Sequence, residues 1–192
     1  MINYSHKLLK DVESTEINEI IDFTLNSSYG YNRTVEDNLN YEITVNTLND
    51  YFTRENSYLV TAYDDDILVG CSFFLDSSSS PGINLSSSSN IIKNYMIDNN
   101  INQNECFSIT YIRVHKDYQN FKICKELMDY STQVVALENG FKNILIFSLV
   151  SESTLSFYQN YFGEKLVVTD VIDPGNIIDE VITENLMIVR DV

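Results

Sequence analysis

Apolar positions recur along this 192-residue chain in two rhythms, one helical and one alternating. From Thr15, the residues Ile17, Ile20, Ile21, Thr24 and Leu25 fall three and four apart, the spacing that gathers side chains on one helix face, and the run ends in the loop-forming NSSYGYN. A second, less regular helix is expected from Val35 to about Phe52, marked by Leu39, Ile43, Leu48 and Phe52. YLVTAY and ILVGCSFFL, parted by Asp64, Asp65 and Asp66, predict two strands joined by a tight acidic turn. The pattern then breaks at DSSSSPGINLSSSSN, which has little to bury and whose composition predicts mobility. Behind it, Ser89 is placed to cap a short helix carrying Ile91, Ile92, Tyr95 and Met96, before the polar DNNINQNE. The region at about 76–104 is read as an insertion within one domain spanning 1–192, because the strands on either side need each other.

Beyond the insertion the order becomes strand, helix, strand, helix. FSITYIRV is rich in β-branched and aromatic residues. A helix is expected from there to about Asn139, with Ile123, Leu127, Tyr130, Val134 and Leu137 on one face and Gly140 as its C-terminal cap. NILIFSL, nearly continuous in apolar residues, predicts a strand covered on both sides. These three elements form a βαβ unit, whose two strands lie parallel. A helix from about Ser153 stops at Gly163, and KLVVTDVI and VITENLMIVR are expected as closing antiparallel strands. The fold class is α/β, with a mixed, mostly antiparallel sheet, helices on both faces, and an opening between the strand ending at Val114 and that at 143–149.

Composition narrows the function. No run of about 18 apolar residues occurs and the N-terminus lacks a basic-then-apolar order, so the chain is read as soluble, cytoplasmic and not membrane-bound. Cys71, Cys106 and Cys124 are far apart and never in CxxC spacing, and His6 and His115 are the two histidines, so neither a disulfide framework nor a metal centre is expected. The formal net charge of −16 sets most of the surface against nucleic acid. It suits a cationic partner, although an acidic surface also serves solubility alone.

Against that charge, RVHKDYQNFKICK stands out, because Arg113, Lys116, Lys122 and Lys125 cluster there against Asp117. The segment passes from the end of a strand into a helix, where unpaired backbone N–H groups and the helix dipole favour an anion. Phosphate binding is the expected use; the competing reading is that the cations offset neighbouring carboxylates on a solvated face.

VHKDYQNFKICKELMDY also resembles the acyl-CoA pyrophosphate loop of the GNAT superfamily of N-acetyltransferases: a strand ending in Val, a short loop, then Gln or Arg, two residues, Gly, one residue, and Gly or Ala. Gln119, Asn120, Phe121, Lys122, Ile123 and Cys124 occupy the six positions, with Lys122 and Cys124 standing where the family has small residues. SESTLSFYQNYFG is similar to the family's later segment, with Ser151 at an Asn position, a matching Phe157–Tyr158 pair, and Phe162 and Gly163 in reversed order.

The resemblance implies acyl transfer, most directly of acetyl from acetyl-CoA or another short acyl-CoA, to a small-molecule or peptide amine by direct attack, without metal, in a monomer or homodimer. Main-chain groups of Ile112 and Val114 would hold the acetyl carbonyl and the pantetheine arm, with Arg113 between them in the cofactor-binding set. Amides from Gln119 to Cys124 would hold the pyrophosphate, with Ser151 completing the cofactor set, and Tyr158 would protonate the departing thiolate. The Glu that serves many members as base through water is replaced by Ser108, and no base is assigned. Apart from the family, Tyr158 reads as a core tyrosine, Cys124 as a small residue at a helix start and His115 as a loop residue. The altered small positions and the missing Glu keep open an alternative, a CoA-binding or interaction module that has kept the fold and lost turnover.

Overall fold

A computed structural model describes residues 1–26, 45–76, 94, 96–119, 122–149, 152–172 and 184–189. Strand β1 (Ile2–Leu8) opens the chain, with half-buried and exposed residues alternating. The sequence reading passes over this strand, because its inward positions include Tyr4 and His6 in place of aliphatic residues. Helix α1 (Ser14–Asn26) buries Ile20, Ile21 and Thr24, the face its periodicity marks. Residues 45–51 are helical (α2) and bury Leu48 and Tyr51. The rest of the helix expected from Val35 lies outside the described residues, as does most of the serine-rich insertion.

Strands β2 (Tyr58–Asp64) and β3 (Ile67–Asp76) form the expected antiparallel hairpin, with Asp64 opposite Ile67. Asp65 takes φ 50 in the turn, a conformation that Asp tolerates better than most residues. After β4 (Cys106–Val114) come helix α3 (Lys122–Tyr130), β5 (Asn143–Leu149), α4 (Glu152–Phe162), β6 (Leu166–Ile172) and β7 (Glu184–Val189). The sheet order is β1-β2-β3-β4-β5-β7-β6. The β1/β2, β2/β3, β5/β7 and β6/β7 pairs are antiparallel and the β4/β5 pair is parallel, so the sheet is mixed and mostly antiparallel.

The chain divides into two compact units, one of Met1–Phe74 with Tyr111–Ser131 and the other of Leu75–Thr110 with Thr132–Val192. In the first, the register puts Tyr4, Ala62 and Gly70 on one sheet face. Helix α3 packs there closely: a Cβ on Gly70 would lie 3.0 Å from Ile123 Cγ2 and 3.1 Å from Leu127 Cδ1. The next residue, Cys71, turns to the opposite face, where its Sγ lies 3.6 Å from Thr24 Oγ1 of α1. Helices therefore cover both faces of this unit. A register shift follows Ala62, so Tyr63 pairs with Leu68 and Val69 bulges out of the ladder.

In the second unit, Cys106, Phe107 and Ser108 pair with Asn143, Ile144 and Leu145, and the parallel pairing is not continued along Ile109 and Thr110. The sheet is open from there. The starts of both strands are pinned together by Lys142 N–H donating to Glu105 O at 2.8 Å and by the Lys142–Glu105 ion pair at 3.0 Å. Phe107, Ile144, Leu145, Val135 and Ala136 build the core, and Phe141 meets Phe107 edge-on at 5.7 Å.

One expectation about the long helix is corrected. Beyond Tyr130 the chain continues as a π-helical stretch, Ser131–Ala136. The wider turn carries an additional residue, so the buried face moves on by one position. Ser131, Val135 and Ala136 are buried, whereas Val134 is half-buried and Leu137 is 77% exposed. The helix still ends where expected: Gly140 takes φ +72, its N–H donates to Leu137 O, and Phe141 N–H donates to Ala136 O at 2.9 Å.

Candidate active site

The C-terminal half of β4 carries an anomaly. Tyr111 sits at φ 49 within the strand, a left-handed conformation that is an outlier for a bulky residue and costs on the order of 1–2 kcal/mol. Packing holds it there. Its ring centroid lies 6.1 Å from that of Tyr51 and 6.2 Å from that of Phe73, and the Arg113 guanidinium stands 5.5 Å above the ring. Arg113, half-buried, donates from Nε to Thr24 O at 3.3 Å and from Nη1 to Ile112 O at 3.1 Å. Burial lowers the guanidinium below the usual arginine range, opposed by Cys71 and then Tyr111. It stays protonated at neutral pH.

The loop after Val114 is built by its own backbone. His115 N–H donates to Val69 O at 2.9 Å, and His115 Nδ1 accepts from Asp117 N–H at 3.3 Å, capping the 3₁₀ turn Lys116–Tyr118. Its ring stacks with Phe23 and meets Tyr118 edge-on. This is a structural use of the imidazole, in line with its reading as a loop residue. Gln119 ends the turn and is exposed; Asn120, Phe121 and Ser151 lie outside the described residues.

Helix α3 then starts at Lys122, with no acidic residue in its first turn and with Ile123 buried against the sheet. Lys122 is 76% exposed and reaches Glu126 at 3.3 Å, while Lys125 reaches Asp129 at 2.7 Å. Glu126 also accepts from the Tyr4 hydroxyl. The basic cluster is thus partly offset: two of its four cations hold carboxylates one helical turn away, as the competing reading held. The Lys122 side chain turns outward, toward Glu126 on its own helix. Burial pushes the Cys124 thiol up to about 11, so it is not a thiolate at neutral pH.

The remaining residues belong to the second unit. Ser108 is 2% exposed, and its hydroxyl has no hydrogen-bond partner among the described residues. Tyr158, on α4, is half-buried, edge-on to Phe157 at 5.3 Å and stacked on Phe162 at 6.3 Å. Ile112, Arg113, Val114, Gln119, Lys122, Ile123 and Cys124 lie together in the first unit. Tyr111 escaped the sequence reading, since no local signal marks a tyrosine for a left-handed strand position. Arg113 is expected in the basic cluster and the cofactor set, whereas its guanidinium turns to Thr24 of α1.

The described geometry is an open mixed sheet in which a strand passes through a short turn into the N-terminus of a helix. The model of the acetyltransferase (GNAT) family matches residues 26–163. The chain belongs to that family, and it is an N-acetyltransferase of the acetyl-CoA-using kind. Solved structures share the fold: an acyl-CoA N-acyltransferase from Pseudomonas aeruginosa at 10% identity and TM-score 0.61, covering 98% of this chain and 99% of its own. YncA of Salmonella typhimurium, solved with its cofactor acetyl-CoA, aligns at 14% identity and TM-score 0.59 over 98% of this chain and 94% of its own. A spermidine N-acetyltransferase SpeG chimera from Vibrio cholerae and hSSAT aligns at 11% and 0.57, over 97% and 95%. A search of curated proteins finds no match. Among the described residues, no helix is long and apolar enough to cross a membrane.

Proposed function

We propose that this protein transfers an acetyl or another short acyl group from CoA to a primary amine by direct attack of the amine on the thioester carbonyl. Main-chain groups of Ile112 and Val114 hold the acyl carbonyl and the pantetheine arm, and the amides from Gln119 to Cys124 hold the pyrophosphate. The observation that carries the reading is the construction of this loop: the 3₁₀ turn capped by His115 and the seating of Ile123 against Gly70 fix the N-terminus of α3, free of acidic residues, beside the end of β4.

Tyr158 donates the proton that lets CoA depart as a thiol. No side chain is assigned as base. Ser108 stands at the position of the family's Glu, and a hydroxyl is too weak a base to deprotonate an ammonium at neutral pH. The acceptor must then arrive as the free amine. Hence kcat/KM is expected to rise with pH until the acceptor's own pKa is passed, without an earlier plateau set by an enzyme carboxylate.

The test has two stages. Acetyl-CoA is expected to raise the melting temperature, as a ligand bound by the folded state does. Release of CoA is then followed with amino acids, polyamines, aminoglycosides and peptides. Binding without turnover against all of them would favour a CoA-binding module that has lost activity, and no thermal shift at millimolar acetyl-CoA would end the ligand assignment.

A further inference from the structure

Arg113 is out of place as a purely structural residue. The chain has 28 acidic against 12 basic residues, yet this half-buried guanidinium holds no carboxylate among the described residues. More exposed cations, Lys7, Lys122, Lys125 and Lys142, each have one. A charge withdrawn from water without a counter-charge is costly. Two of its five N–H groups are spent on the Thr24 and Ile112 carbonyls, so three, including both on Nη2, have no partner among the described residues. That is sufficient for a carboxylate accepting two parallel bonds. The Tyr111 ring, set by a left-handed backbone and lying against the guanidinium, restricts its orientation, which suits a preorganised anion site.

The face on which it lies identifies the anion. Arg113 reaches Thr24 of α1 and neighbours Cys71, whereas α3 packs on the opposite face of the sheet, over Gly70. The CoA pyrophosphate, assigned to the N-terminus of α3, is therefore not its partner. Meanwhile Nη1 lies 3.1 Å from the carbonyl oxygen of Ile112, whose main chain is assigned to the acyl group. An anion on the guanidinium is thus next to the acyl site. In an α-amino acid the amine is only two bonds from the carboxylate carbon, so one short molecule can occupy both places.

We infer that Arg113 is a substrate-positioning residue that binds the carboxylate of an amino-acid acceptor, which makes free α-amino acids the acceptor class. This rests on the acyltransfer reading above and goes beyond it in naming the acceptor. The experiment compares amino acids with their C-terminal amides, matched side chain by side chain, by calorimetry in the presence of CoA and by kcat/KM with acetyl-CoA, each expressed per concentration of free amine. The unmodified protein is expected to favour at least one acid over its amide by about tenfold or more, the range of charge-assisted pairs. In Arg113→Gln that preference is expected to collapse to about twofold, through a loss on the acid alone, with CoA affinity retained; Arg113→Lys is expected to restore part of it.

Equal use of acid and amide by the unmodified protein would overturn the inference, as would an equal loss on both in Arg113→Gln, which marks a structural strap to α1. Should Arg113→Gln fail to fold, the acid-to-amide ratio of the unmodified protein decides alone. Absence of CoA binding would be a separate failure, of the acyltransfer reading, and calorimetry with the amino acids alone then still tests the anion site.

Discussion

At the residue scale, the hydroxyl of Tyr158 and the thiol of Cys71 invite different measurements. Tyr158 shares its helix with Phe157, Tyr161 and Phe162, whose rings stack on one another, so Tyr158→Phe preserves the apolar contacts while removing the proposed proton donor. Turnover is expected to fall by about 10²- to 10⁴-fold, the usual contribution of a general acid, with melting temperature and CoA affinity nearly unchanged. A loss of stability with turnover intact would instead make the hydroxyl a structural group. Cys71 is fully buried, and burial pushes its thiol from 9.0 to about 11, opposed by the Thr24 hydroxyl and then Arg113. Its folded pKa is raised above the unfolded one, so the stability it contributes is complete below about pH 9 and lost as pH rises through about 11. A shift of that size is worth about 2–3 kcal/mol. In urea titrations, Cys71→Ala is expected to lose stability more gently between pH 9 and 11 than the unmodified protein; parallel slopes would contradict the burial argument. Burial raises the Cys124 thiol as well, so its place at a helix start does not make it a thiolate at neutral pH.

At the scale of elements, the helical run that starts with α3 and ends at Gly140 is held at its two ends for unrelated reasons, and two glycines separate them. Gly70 is a matter of space. An alanine there forces Ile123 Cγ2 at 3.0 Å and Leu127 Cδ1 at 3.1 Å to give way, a crowding expected to cost about 1–3 kcal/mol. Gly140 is a matter of conformation: nothing lies within 4 Å of a Cβ there, but its φ of +72 penalises any L side chain, by about 1–2 kcal/mol for alanine. Denaturant titrations distinguish the causes. Ile123→Leu removes the crowding methyl, so it is expected to recover part of the Gly70→Ala loss and none of the Gly140→Ala loss; equal rescue, or none, would show that the two penalties are misassigned. The start and end of this helix were legible because Lys122 follows a turn and Gly140 is a cap. Its outer face was not, because Val134 and Leu137 satisfy a helical repeat that the π-helical stretch at Ser131–Ala136 displaces.

At the scale of the whole molecule, the net charge of −16 confronts a co-substrate that is itself an anion. With Lys122 and Lys125 paired to Glu126 and Asp129, the basic cluster is too compensated to reverse the long-range field. Screening reaches about 10 Å at 0.1 M salt. The association rate of CoA, measured by stopped flow, is therefore expected to rise between about 0.02 and 0.2 M salt; a falling rate would show that the local cations dominate the approach. What the sequence determined by itself is whatever depends on near neighbours. Periodicity placed α1, the hairpin with its Asp turn, the βαβ order and the closing strands, and the change from apolar strand to basic turn marked the candidate loop, because propensity, side-chain alternation and capping act over a few residues. Tertiary structure alone decided that β1 pairs with β2 and that β7 lies between β5 and β6. It also decided that Tyr111 is left-handed against Tyr51 and Phe73, and that Arg113 reaches Thr24 without a carboxylate among the described residues. Each of those outcomes is settled by contacts between distant segments, whose energies exceed the local preferences they override.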